Sequence, residues 1–456
     1  MITIHQSDAV KWANEYDGPL FHALLCDPPY HLTSIVKRFG KEGSAPAQFG
    51  TDGAFSRASK GFMGQTWDGG DVAFQPETWS AFMKVLHPGA FGMAFASSRG
   101  WHRLAVAIED AGFVIHPTIF GWLYGSGFPK ATRLDLQIDK REGKKDERII
   151  GTRDGTGYTK SNVEQGAQQR FTEEFSEYGE PITDLAKEWI GHRYGLQALK
   201  PALEPIIVFQ KPYEGKPIDC MVETGAGALN IDGSRISLNS EIDDPRLGGN
   251  GSWKTDKAAK NVYEGGYSGE DVQSSPLGRW PANFILEDQG AADALDAQSG
   301  HLKSGNNCTR RQEGTFLEHG GLGKAVDVQK TIGDEGGASR FFFRVQEQID
   351  ESDPVYYCSK ASKSERDDGM ECHNSHPTVK PIALAKYLAT LLLPPAMYAP
   401  RRIFVPFAGV ASECIGAHQA LWEEIVGIEM EEKYCDIARV RAKYWENRGV
   451  QLELLK

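Results

Sequence analysis

Cysteine is scarce in this chain of 456 residues: there are seven, an odd number, scattered and without a C-x-x-C pair. That usage suits a reducing cytoplasm rather than a disulfide scaffold. Cys358, Cys372, His373 and His376 form the one Cys/His cluster, and its spacing fits no zinc pattern, so no metal is expected. No apolar run is long enough to cross a bilayer, which argues against a membrane partner. The opening MITIHQSDAVKW lacks a basic-then-apolar leader, so a cytoplasmic location is expected. Positive charge is also short, with 50 Lys and Arg against 62 Asp and Glu and a net charge of −12. This weighs against a basic footprint over the whole surface, though it says little about one face of a large protein. A complete G-x-G-x-x-G is missing, which argues against a dinucleotide and its pyrophosphate. A Walker-type loop is missing too, so no motor is expected.

What is present is an α/β grammar at both ends of the chain. Leu20 to Cys26 is an apolar run, followed by helical periodicity at Trp79, Phe82, Met83 and Leu86 that His87-Pro88-Gly89 stops. Ala90 to Ala96 reads as a strand, Trp101 to Ala111 as a helix stopped at Gly112, and Phe113 to Leu123 as a third strand. Strands separated by helical patterns imply a parallel sheet. Basic residues cluster at Lys130, Arg133, Lys140-Arg141 and Lys144-Lys145, a pattern that a solvated amphipathic helix explains at least as well as nucleic-acid contact. From about 141 to 190 the chain is polar, and GTRDGTGYTKSNVEQG reads as its least structured part. Pro205 to Gln210 is a short strand expected to join the sheet. The Gly-, Ser- and Asp-rich stretch from about 216 to 340 reads as a loop-rich module, being too long for a structureless linker. The grammar returns with a helix (Ile382 to Leu393), a strand (Arg402 to Val405), a Gly turn and helix to Trp422, and a strand (Glu424 to Ile428). A last helix carries Tyr434, Ile437, Val440 and Tyr444 at buried spacing.

Three motifs carry chemistry. Asp27-Pro28-Pro29-Tyr30 follows the first apolar run directly. An aromatic amine is a poor nucleophile because its lone pair is delocalised into the ring. A carboxylate at Asp27 and a fixed carbonyl at Pro28 can accept its two hydrogens and localise that pair for attack on a sulfonium methyl. The prolines hold the acceptors rigid, and Tyr30 can stack on a base flipped out of a duplex. The second motif is Phe404-Val405-Pro406-Phe407-Ala408-Gly409, with Glu429 twenty residues beyond Gly409 at the end of the next strand. Glycine for close approach and an acid for ribose hydroxyls are what a nucleoside-binding unit needs. The third, His376-Pro377-Thr378-Val379-Lys380-Pro381, opens a helix. Thr378 can cap it, and Lys380 can meet a carboxylate of a cofactor or of the protein.

In this order the motifs resemble the beta-type amino-methyltransferases of bacteria and bacteriophages, in which the cofactor motif lies C-terminal to the catalytic one. The resemblance covers roughly the first 135 and last 100 residues, together with Lys200-Pro201-Ala202-Leu203-Glu204-Pro205. The segments Gly125 to Lys130 and Gly225 to Asp232 are similar to a phage and prophage subgroup. It implies a Rossmann-like methyltransferase sheet assembled from both ends of the chain, with a loop-rich inserted target-recognition region. The catalytic half is expected over 1–140, a polar insertion over 141–199 and a returning strand over 200–215. The recognition region is expected over 216–355 and the cofactor half over 356–456.

The resemblance further implies that Asp27, Pro28, Pro29 and Tyr30 hold the target base. Phe407, Gly409, Glu429, Thr378, Lys380 and Asp27 would hold S-adenosyl-L-methionine. Trp122, Tyr124 or Phe128 can line the base pocket or simply pack the core. Two departures stand out: Val405 occupies the place of the family's usual acid, and Val410-Ala411-Ser412 that of a Ser-Gly-Thr-like turn. The acid normally helps hold the methionine ammonium, a task left here to Asp27, Glu413 or a backbone carbonyl. The implied activity is methylation of adenine N6 in double-stranded DNA. Cytosine N4 and a non-catalytic methylase-derived DNA-binding protein are the alternatives. A homodimer and a place in restriction-modification or in phage self-protection stay open.

Overall fold

The computed structural model describes residues 1–30, 71–124, 129–158, 170–236, 279–286, 289–303, 308–309, 328–329, 335–344, 367 and 379–454. The chain forms two compact units, Met1–Gly125 with Leu203–Lys456, and Ser126–Ala202. The segments Gly125 to Phe128 and His376 to Thr378, the Cys/His cluster and most of 216–355 lie outside the described residues.

The larger unit is built on one sheet. The strands along that sheet and the principal helices around it are, in chain order, β1 (Ile2–Gln6), α1 (Ala9–Glu15), β2 (Phe21–Cys26), α2 (Pro76–Lys84), β3 (Leu86–Phe95), α3 (Trp101–Asp110) and β4 (Phe120–Leu123). They continue with β5 (Leu203–Gln210), β6 (Phe284–Leu286), β7 (Phe343–Arg344), α4 (Ile382–Leu392), β8 (Arg402–Pro406), α5 (Ser412–Gln419), β9 (Glu424–Glu429) and α6 (Glu432–Leu454). The strand order is β1-β9-β8-β2-β3-β5-β4-β6-β7. Along this order all neighbours pair in parallel except β5, which runs antiparallel to both β3 and β4. The expected Rossmann-like α/β sheet assembled from both ends of the chain is therefore present, with β2 from one end hydrogen-bonded to β8 from the other.

Every residue of β2 is buried, as a parallel strand covered on both faces requires. Ala23 and Leu25 share one face with Met93, Phe95, Ile403 and Val405, under α4. Leu24 and Cys26 share the other with Ala94, Phe404, Trp79 and Phe82, under α2. Helix α4 is apolar at nearly every position, so it packs on both the sheet and α5 rather than lying at the surface. A Cβ at Gly416 would lie 2.5 Å from the Ala385 Cβ, so glycine there allows α4 and α5 to approach. Burying large side chains such as Phe82 or Phe404 contributes about 1.5–3 kcal/mol each.

Several sequence readings are corrected. The chain's first residues form β1, a strand the apolar pattern did not announce. It zips onto β9 from Ile2 opposite Ile425 to Gln6 opposite Glu429. Leu86 opens β3 instead of closing a helix, and His87-Pro88-Gly89 lies inside that strand's start. Phe113 to Leu123 is two strands, Val114–Ile115 and β4, split where the His116 Nδ1 accepts the Thr118 amide and Pro117 breaks the ladder. In α6 the buried face is Tyr434, Ala438, Arg441, Ala442 and Trp445, whereas Val440 is exposed. One residue's error in phase rotates a helix face by about 100°.

The smaller unit also departs from expectation. Ile149–Tyr158 pairs antiparallel with Arg170–Tyr178, so much of the stretch read as least structured forms a hairpin. Gly- and Asp-rich composition hid the β-forming Thr152, Thr156, Phe171 and Phe175. The helix Leu134–Arg141 is not simply solvated, because it buries Asp135 and Asp139. Arg148, wholly buried, meets Asp135 at 2.9 Å and Asp139 at 3.0 Å and donates to the Gly179 carbonyl at 2.8 Å. Asp139 also accepts the Thr183 hydroxyl at 2.7 Å. Removing one partner from such a set strands buried charge. Arg148→Ala should destabilise this unit by about 3–5 kcal/mol, read as a loss of amide-exchange protection over 134–194 with the larger unit unchanged. Unaltered protection would show that the ion pairs do not hold the unit together.

Candidate active site

The strand order places a crevice at one point in the sheet. From β2 the chain moves to β3 on one side, and from β8 it moves to β9 on the other, so β2 and β8 flank a topological switch point. Ligands of open α/β sheets bind beyond the carboxyl ends of strands at such a point. The Asp27–Tyr30 turn leaves β2 there, Phe407–Ala411 leaves β8 beside it, and Glu429 ends β9. Strand β5 is reversed, so its opening residues, Glu204 included, lie at this same end of the sheet.

Lys380, at the entrance of α4, binds these segments together. Its Nζ donates to Asp27 Oδ2 at 2.7 Å and to the Tyr30 hydroxyl at 3.1 Å, and lies 3.0 Å from Glu204 Oε1. The Tyr30 hydroxyl donates to Glu204 Oε1 at 2.5 Å. Lys380 Nζ also stands 4.8 Å from the Phe95 ring centroid, a cation–π contact. Burial opposes the Lys380 charge, but the carboxylates of Asp27 and Glu204 more than offset it and raise its pKa. Burial first, then the same two carboxylates, pushes the Tyr30 phenol far above its ordinary value, so it remains a neutral donor. Pro28 is buried and fixes the turn. Asp27 keeps its other oxygen, Oδ1, buried and without a hydrogen-bond partner.

The β8 turn is tight. Phe407, Gly409 and Ala411 have φ of 60°, 52° and 67°, a left-handed run that turns the chain into α5. The Phe407 ring packs edge-on against Phe82 at 5.7 Å. Glu429 accepts the Gly409 amide at 2.9 Å and the Glu431 amide at 2.8 Å, one on each oxygen. Each oxygen keeps a second lone pair, enough for a pair of hydroxyls. Burial raises the Glu429 pKa against the pull of those amides.

Two acids here escaped a firm assignment from sequence. Glu204 had only its place in a motif, although an acid opening an apolar strand is a signal in itself. Glu413, in the first turn of α5, is 4% exposed with Oε1 lacking a partner. Burial, then the Asp27 charge, raises its pKa to about 7 against the opposing influence of Lys380 and Arg441. Val405 is 1% exposed in the core beside Ile403 and Leu25. Thus Asp27, Pro28, Pro29, Tyr30 and Lys380 come together, and Phe407, Gly409 and Glu429 adjoin them across neighbouring strand ends. Thr378 lies outside the described residues, as does Phe128. Trp122 is core, 4% exposed, with Tyr124 packed on it at 5.6 Å.

No family model matches the chain. The type II methyltransferase M.HindIII of Haemophilus influenzae is 24% identical to it over 244 residues, which are 50% of this chain and 64% of that protein. The chain thus spans less than two thirds of the length of the curated relative it matches. Among solved structures, M1.HpyAVI aligns with a TM-score of 0.35 at 10% identity, covering 97% of this chain and 98% of that one. The PvuII DNA methyltransferase (cytosine-N4-specific) aligns with a TM-score of 0.35 at 10% identity, covering 96% of this chain and 86% of that one.

The charge cluster carries a stability consequence. With a pKa of about 7 against an ordinary 4.5, folded Glu413 holds a proton that the unfolded chain has already released between those values. Stability therefore falls as pH rises through that window, and the cost is complete above it. Glu413→Gln cannot ionise, so its stability advantage over wild type in ligand-free protein should grow by about 1–3 kcal/mol from pH 5 to pH 8. Denaturant melts at both pH values measure it, and a constant difference would mean that Glu413 titrates normally.

Proposed function

We propose that the chain is an S-adenosyl-L-methionine-dependent DNA methyltransferase acting on the exocyclic amino group of a base flipped out of double-stranded DNA, adenine N6 first. The single observation that carries this reading is Asp27 itself, with one carboxylate oxygen clamped by Lys380 and the other buried and free to accept. The similarity to M.HindIII supports it.

The residues present fit the cofactor. Glu429, at the end of β9, has lone pairs for the two ribose hydroxyls. The left-handed turn at Phe407 and Gly409 admits the nucleoside close to the backbone, and the acid-rich end at Asp27 and Glu413 suits its cationic end. When bound, the cofactor supplies an electrophilic methyl group on a sulfonium.

The chain's own groups do the rest. Asp27 Oδ1 and the Pro28 carbonyl accept the two amino hydrogens, drawing the nitrogen lone pair out of the ring. With both hydrogens held, the amino nitrogen would present its lone pair to the methyl group that the bound cofactor would supply, the sulfonium leaving as the neutral thioether. The surplus amino proton departs along its hydrogen bond to Asp27 and on to water. Lys380 holds Asp27 in place, and Glu204 anchors the Tyr30 hydroxyl so that the ring is set to stack on the base. Cytosine N4 presents a similar amino group and is the alternative substrate.

The test is incorporation of labelled methyl into unmethylated plasmid DNA, followed by nucleoside mass analysis. N6-methyladenine is the expected product, and Asp27→Ala should lower the rate by at least about 10²–10³-fold while cofactor still binds. N4-methylcytosine would move the substrate and keep the mechanism. No product from wild type, or full activity from Asp27→Ala, would sink the reading.

A further inference from the structure

Among the described residues, the charged cluster at the switch point carries more acids than cations. Three carboxylates, Asp27, Glu204 and Glu413, lie within electrostatic reach of Lys380, and Asp27 also acts on Glu413. Arg441, the other cation acting on Glu413, is buried on the α5 side and donates to the Val410 carbonyl at 2.5 Å and to the Ser412 hydroxyl at 3.4 Å. Among the described residues, and with Glu413 ionised, three anions face these two cations, a deficit of one positive charge in a setting where unpaired charge is costly.

The deficit has an address. Lys380 is committed to Asp27, Glu204 and Tyr30. Among the buried side-chain oxygens of these three acids, those without a partner are Asp27 Oδ1 and Glu413 Oε1. The first faces the reacting amine in the proposed mechanism. The second is 4% exposed, on a helix first turn next to the β8 turn, with no role in that chemistry. A buried carboxylate oxygen left open beside a cofactor site asks for a hydrogen-bonding cation on the ligand.

Resting on the methyltransferase reading, we infer that Glu413 is a cofactor-binding residue whose carboxylate receives the α-ammonium of the methionine moiety, completing the charge of the cluster. Val405, packed in the core, leaves the ligand no acid on β8 at that point, and Glu413 stands eight residues further along the chain to supply one. The cofactor carries a net single positive charge, which matches the deficit. Glu413 also gives the site a means of selecting the amino-acid end of the ligand, distinct from the ribose contact at Glu429.

The experiment is calorimetric titration of wild type and Glu413→Gln with two ligands, S-adenosyl-L-methionine and 5′-methylthioadenosine, the latter lacking the amino acid. Losing a charged hydrogen bond should weaken binding of the cofactor to the Gln variant by about 10- to 100-fold. Methylthioadenosine should bind both proteins alike, and Glu413→Asp should recover part of the cofactor affinity. The Gln variant removes a buried charge and keeps the shape, and the methylthioadenosine titration reports that its site is folded. Equal loss for both ligands, or no loss for either, overturns the assignment while leaving the cofactor reading intact. Failure of wild type to bind S-adenosyl-L-methionine at all would overturn both.

Discussion

The ion pair between Lys380 and Asp27 is the interaction on which the rest of the site depends. It joins residues 353 positions apart, closing the sheet's two sequence halves at the point where β2 and β8 lie side by side. A lysine this buried stays charged only because carboxylates surround it, and those carboxylates stay organised only because the lysine is there. Tyr30 and Glu204 are drawn into the same set, so the turn after β2, the start of β5 and the entrance of α4 have one common arrangement. Side chains from three remote segments are thereby held ready before any ligand arrives, which is what pre-organised electrostatics requires.

The fold supplies that geometry from simple parts. Parallel strands covered on both faces deliver their carboxyl ends to one edge, and the reversal of β5 brings a start rather than an end to the same edge. Each device serves the cluster: close helix approach at Gly416 seats α4 over the sheet, the left-handed turn at Phe407–Ala411 leads straight into the helix bearing Glu413, and β1 seals the strand that ends in Glu429. The cost is concentrated in Glu413, where burial and the Asp27 charge work against ionisation. Acids perturbed in this way by burial and a neighbouring charge cluster at functional sites.

What the sequence disclosed followed from how local each signal was. Asp27-Pro28-Pro29-Tyr30 and Phe407-Ala408-Gly409 are turns written in consecutive residues, so the chemistry proposed for them rests on local sequence. Lys380 was legible as a lysine seeking a carboxylate, and that carboxylate belongs to the protein. Glu204 was not, because its meaning comes from an antiparallel strand placing its first residues beside Tyr30, a fact of topology. Glu413 was only one of several ways to replace an acid at Val405, since burial and the absence of a partner at one oxygen are tertiary properties. The errors in element reading have the same origin. The short strand at Ile2–Gln6 has too little pattern to stand out, the apolar spacing within Glu432–Leu454 points one residue away from its buried face, and the Arg148 cluster looks in sequence like ordinary surface charge.

On the proposed function, the ends of β2, β8 and β9 form one site for a methionine-bearing nucleoside and for the reacting amine. The most direct measurement is a crystal structure of the chain with an unreactive, amine-bearing analogue of S-adenosyl-L-methionine. Ribose hydroxyls are expected against Glu429 and the aliphatic end between Asp27 and Glu413, with Lys380 still paired to Asp27. An analogue bound elsewhere, with Glu429 and Asp27 untouched, would contradict it.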